Sequence, residues 1–69
     1  MEEKYTLVGV DGNAFAIMGY VCGAMKQEGK TREQIDEYLK DAKSSDYSHL
    51  VAVSAEMIYQ LNEEIENDK

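Results

Sequence analysis

One cysteine, no apolar run approaching 18 residues, and half as many basic residues as acidic ones, seven against fourteen, mark what this sequence has little of. With Cys22 alone, no internal disulfide and no metal site built on paired cysteines can form within one chain. The missing apolar run, together with a start, Met1-Glu2-Glu3-Lys4, that is not a basic-then-apolar leader, leads us to expect a cytoplasmic protein with no membrane partner. The scarcity of basic residues leaves a net charge of -7, which repels phosphate backbones and anionic lipid, so direct contact with nucleic acid is not expected. Length is the last shortage. A single domain of 69 residues buries a small share of its surface, and without a staple its stability calls for association with itself or a partner.

The motifs of chemistry are also missing. The stretch VGVDGN between an apolar segment and a helical one has the order of an anion site, but it lacks G-x-G-x-x-G and the Lys-Ser/Thr pair, and Asp11 places negative charge where an anion would sit. It reads as punctuation: Gly12 is expected at positive φ, with Asp11 or Asn13 capping the following helix. Cys22 falls among Met18, Val21 and Met25, where a thiol is inert, and His49 has no evident orienting partner. The carboxylates at Asp36, Glu37 and Asp41, and at Glu63, Glu64 and Glu66, lack the spacing and central glycine of a calcium loop and read as solvated helical faces. No catalytic residue, metal or cofactor is expected.

What is present is helical periodicity. Tyr5 to Val10 is rich in β-formers and ends at Asp11-Gly12, so it reads as a short strand or extended arm. From Asn13 the pattern turns helical, with Ile17, Met18, Val21, Cys22 and Met25 on one face and Gly29 as terminator. Thr31 and Gln34 form a capping box for a second helix that buries Ile35, Tyr38, Leu39 and Ala42. Asp46 caps a third, whose stripe is Tyr47, Leu50, Val51, Ser54, Ile58, Leu61 and Ile65, with Met57 at its margin. Carboxylates crowd its C-terminal end against the helix dipole, so the last turns are expected to fray. The fold class is therefore mainly α, one domain over 1–69: a strand or arm at about 5–10, then a three-helix bundle with helices near 13–28, 32–43 and 46–64.

The side of the first helix away from its apolar face carries Ala16, Gly19, Tyr20, Gly23 and Gln27. Mid-helix glycines cost about 1 kcal/mol each against alanine, which suggests that another backbone approaches closely, either this chain's own strand or a second subunit. Tyr59 points outward from the third helix in the same way, with Val53 off its buried stripe. A lone strand leaves its backbone groups unpaired, so exchange across a two-fold axis, with Thr6, Val8 and Val10 on one face, is the economical arrangement.

The segments VDGNAFAIMG, EQIDEYL after a glycine, and SDYSHL resemble a group of small uncharacterised proteins of prophages and other bacterial mobile elements, over about Val8 to Leu50. In that group the first helix is often arginine-rich and the later turn reads Ser-Gly-Asp-Tyr; here Tyr20, Gly23 and Gln27 stand at the basic positions and Ser45 replaces the turn glycine. The resemblance implies a cytoplasmic bacterial or phage setting and a part in the host–phage contest, and it transfers no catalytic residue. The expected function is a non-enzymatic acidic protein-binding module acting as a homodimer. The alternatives are an acidic inhibitor, or nucleic-acid mimic, occupying the basic channel of a host defence enzyme, and a small anionic-ligand binder at the VDGN turn.

Overall fold

In the computed structural model, residues 4–67 are described, with side chains to residue 65, and they form an irregular arm followed by three helices. These are α1 (Ala14–Gln27), α2 (Arg32–Ala42) and α3 (Tyr47–Asn67). Each starts and stops where local chemistry requires it. Asn13 caps α1, its side-chain oxygen accepting the Phe15 N–H at 2.8 Å, and Asp11 in turn accepts the Asn13 N–H at 3.0 Å. Gly29, at φ 82°, closes the same helix in a left-handed turn: Gly29 N–H donates to the Lys26 carbonyl and Lys30 N–H to the Met25 carbonyl. The Thr31–Gln34 capping box is complete in both directions. Asp46 caps α3 by accepting the His49 N–H at 3.0 Å.

The core is the seam between the three helices. Ile17, Met18, Val21, Ala24 and Met25 of α1 meet Ile35, Tyr38 and Ala42 of α2 and Leu50, Ile58 and Leu61 of α3. Full burial of side chains such as Val21 and Leu61 stabilises the fold by about 1.5–3 kcal/mol each. Two polar side chains are buried with them. Ser54 shares a 2.6 Å hydrogen bond with the Tyr38 hydroxyl, a polar clasp between α2 and α3. Burial pushes the Tyr38 phenol up from its ordinary range, partly offset by Ser54.

The second, Asn62, holds the backbone of Tyr5. Its Oδ1 accepts the Tyr5 N–H at 3.1 Å and its Nδ2 donates to the Tyr5 carbonyl at 2.9 Å, so one side chain satisfies both backbone groups of Tyr5, as a neighbouring strand would. Residues 5–10 follow an irregular course along the bundle. With no second strand among the described residues, they pair with side chains: Thr6 N–H donates to the Tyr20 hydroxyl at 3.0 Å, and Val8 N–H to Thr6 Oγ1 at 3.1 Å. Val10 N–H closes a turn onto the Leu7 carbonyl, with Gly9 at φ 88° in the position that a type II turn reserves for glycine. The Tyr5 ring is buried, meets Tyr20 edge to face, and donates its hydroxyl to Glu28, which also holds Lys4 at 2.9 Å. The Tyr5 hydroxyl and the Lys4 ammonium hold the Glu28 carboxyl below its usual range. That contribution is present at neutral pH and lost as pH falls through the lowered value.

Four expectations need correcting. Gly12 does not take positive φ; Gly9 does, because the arm turns three residues earlier. Tyr47 is half exposed, not buried, because its hydroxyl reaches out to donate to the Gly12 carbonyl. Thr6, Val8 and Val10 share no face: Val8 projects from the turn while Val10 packs on the core. Helix α3 continues past 64 to Asn67, since Ile65 packs on the core and Lys30 bridges to Glu64 at 2.7 Å; residues 68 and 69 of the acidic end lie outside the described region.

Asn62→Ala strands two backbone groups of Tyr5 in a buried setting. We expect it to destabilise the protein by about 2–6 kcal/mol in urea denaturation, two orphaned groups at about 1–3 kcal/mol each, and to raise hydrogen exchange selectively at Tyr5 and Thr6. An unchanged midpoint would show that the arm is not held by this side chain.

Candidate functional site

Three places in the fold gather residues with chemical or binding potential. The first is around His49, at the start of α3. Its Nε2 lies 3.1 Å from Asp41 Oδ1, 3.1 Å from the Asp41 carbonyl and 3.4 Å from Ser44 Oγ. The imidazole therefore does have a partner that the sequence did not reveal, eight residues back on α2. Serine, histidine and aspartate together suggest a triad, yet all three contacts fall on the same ring nitrogen. A relay needs the carboxylate on one nitrogen and the hydroxyl on the other. Ser44 Oγ also donates to the Asp41 carbonyl at 2.6 Å, so its proton is directed away from the ring. The cluster ties the end of α2 to the start of α3.

Cys22 is half buried on α1, and desolvation pushes its thiol up from the ordinary range; Lys26 and Lys43 oppose that and Asp36 adds to it. His49 is not among the charges that act on it. At the VDGN turn, the carboxamide oxygen of Asn13 occupies the Phe15 N–H and the Asp11 carboxylate the Asn13 N–H. Two side-chain oxygens thus fill donors that an anion would use. Among the described residues no three His, Cys, Asp or Glu side chains gather as a metal site, and no helix is long and apolar enough to cross a membrane.

The second place is the solvent side of α1. Phe15 is 81% exposed, and a Cβ built on Gly19 or Gly23 meets nothing within 4 Å. The chain's own arm therefore does not account for these glycines. It passes instead over Tyr20, whose hydroxyl and ring are taken up by Thr6 and Tyr5, and Ala16 is half buried. Of the other residues singled out for an interface, Val8 is 87% exposed at the turn and Tyr59 57% exposed on α3, while Thr6 is spent on arm contacts. Helix α1 contains none of the fourteen acidic residues of the chain. Its outward stripe of Phe15, Gly19, Gly23 and Lys26 is thus free of carboxylate.

The third place is a groove between α2 and α3, floored by Met25, Val53 and Met57. Sequence periodicity placed Met57 at the margin of the buried stripe and Val53 off it, but could not show that α2 stands beside them. Comparison with protein families, curated proteins and solved structures finds no match to this chain. Its chemistry rests on the geometry alone.

A desolvated, undirected thiol is a poor nucleophile. We expect Cys22 in the folded protein to react with iodoacetamide at pH 7.5 at least about tenfold more slowly than in the urea-unfolded chain, and Cys22→Ala to leave any binding unchanged. Faster alkylation in the folded state would mark an activated thiol.

Proposed function

We propose that this chain is a non-enzymatic, acidic protein-binding module of phage or mobile-element type that acts as a homodimer. The observation that carries the reading is the carboxylate-free outer stripe of α1. Two bodies of net charge -7 repel one another, and they approach at least cost through a surface that carries none of that charge. An antiparallel pairing of two α1 helices about a two-fold axis at Gly19 sets Phe15 of each copy over Gly23 of the other. Gly23 of each copy receives the ring that the other exposes, Gly19 faces its own copy at the axis, and Lys26 of one copy comes towards Asp11 of the other. A contact built on one helix of 14 residues is small, and it corresponds to micromolar dissociation.

Sedimentation velocity from about 1 to 200 µM, bracketing that expected dissociation constant, should show the mass moving from one chain towards two. Phe15→Glu, at an exposed position, should keep the helical circular dichroism and hold the protein monomeric. A wild-type protein that stays monomeric across the whole range removes the dimer reading.

The same asymmetry of charge supports a second reading, an acidic inhibitor of a basic host protein. Glu33, Asp36, Glu37 and Asp41 lie on α2 and Glu56, Glu63 and Glu64 on α3, all exposed, while α1 has none. Neutralising Asp36, Glu37 and Asp41 together should slow association with a cationic partner such as a basic nuclease domain, and raising salt should weaken it steeply. Affinity indifferent to salt leaves the hydrophobic α1 contact as the binding surface.

A further inference from the structure

The groove between α2 and α3 is a surface that the dimer reading does not use. Its deeper part, about 360 Å³, has Met25 and Tyr38 beneath it and Met57 and Val53 half buried along it. It continues over Val53 and Met57 into a shallower part of about 330 Å³ reaching Ala52 and His49, so the two are one trough. Along α3 the deeper part runs from Val53 to Glu64, about 17 Å at the helical rise. Its floor is thioether and isopropyl surface left in water, and methionine adapts to whatever covers it.

Its rims are acidic. Glu37 and Asp41 stand on the α2 side and Glu56 and Glu64 on the α3 side, with Lys30 in the lining against Glu64. Among the described residues Glu64 takes Lys30 and Asp41 takes His49, while Glu37 and Glu56 have no cationic partner. An apolar floor between two rows of carboxylates selects an occupant with an apolar stripe flanked by positive charge on both sides.

The walls decide its conformation. Both are helices, whose interior backbone groups are spent within the helix, so an extended peptide finds no ladder of donors and acceptors to join. A helix satisfies its own backbone and offers side chains alone. About 17 Å is also about three helical turns. We propose that the α2–α3 groove binds a cationic amphipathic helix of a partner protein, with apolar anchors at i, i+3/i+4 and i+7 on Val53 and Met57 and lysine or arginine on Glu37, Asp41 and Glu56. The inference rests on the protein-binding reading but not on self-association, because α1's outer stripe is not part of the groove.

The test uses three fluorescein-labelled peptides of about 15 residues, long enough for about four turns. One carries leucines at helical spacing flanked by lysines, one the same leucines flanked by glutamates, and one the first composition shuffled to destroy the stripe. Anisotropy against the full chain should give micromolar binding of the first, and at least about tenfold weaker binding of the other two. In methyl spectra of the methionines, the Met57 signal should shift on binding and the Met18 signal should not. Glu37→Lys, on an exposed position that leaves folding intact, should weaken binding about fivefold or more, and Met57→Gln should do so with circular dichroism as the check on folding. The proposal fails if the lysine peptide does not bind, if the shuffled peptide binds equally well, or if Glu37→Lys has no effect. Loss of peptide binding with the dimer intact would overturn the groove alone; a monomer that still binds the peptide would overturn the dimer alone.

Discussion

The two-way hydrogen bond between Asn62 and the backbone of Tyr5 is the constraint on which the rest of the arrangement depends. A segment of strand-forming residues without a partner strand must find donors and acceptors elsewhere or stay in water. Asn62 supplies one of each, 57 residues away, and fixes Tyr5 against the distal half of α3. With Tyr5 pinned, its ring is buried in the core and its hydroxyl reaches Glu28 at the end of α1. The arm then lies over Tyr20, which leaves Gly19 and Gly23 on the free side of the helix. Where the arm lies therefore decides which part of α1 remains open.

Charge is sorted by helix in the same economy of surfaces. α1 keeps its outer stripe free of carboxylates, while α2 and α3 carry theirs on solvent faces and along the groove they form. A short chain has little core, so half-buried residues such as Val53, Met57 and Leu39 remain at the seams. The two surfaces differ in character: the outer stripe of α1 carries no carboxylate, whereas the α2–α3 trough sets an apolar floor between acidic rims. Neither surface needs chemistry, and the His49 cluster, with every contact on one nitrogen, supplies none that resembles a relay.

Local signals were legible because they act within a few residues. Asn13, Thr31 with Gln34, Asp46 and Gly29 all cap where their side chains or conformations allow, since a cap needs only the next turn of backbone. The buried stripes follow from a 3.6-residue period and were read correctly at Ile17, Val21, Ile35, Tyr38, Leu50, Ile58 and Leu61. Asn62 was missed although it follows Ile58 by four residues, on the edge of the same stripe. A polar residue there was a signal that a distant backbone comes to meet it. Tyr47 was misread because periodicity assigns a side to a residue but not the reach of its hydroxyl.

The sequence by itself determined that the chain is helical, where each helix begins, which stripe each one buries, and that the whole carries excess negative charge, because all of these depend on neighbours within one or two turns. Only the tertiary structure decided that residues 5–10 are an arm held by side chains, that Gly19 and Gly23 face open space, that Asp41 reaches His49, and that Val53 and Met57 line a groove beneath Glu37. Each of these joins residues from different elements, and the relative placement of elements is set by how whole side-chain surfaces pack, which no local spacing encodes.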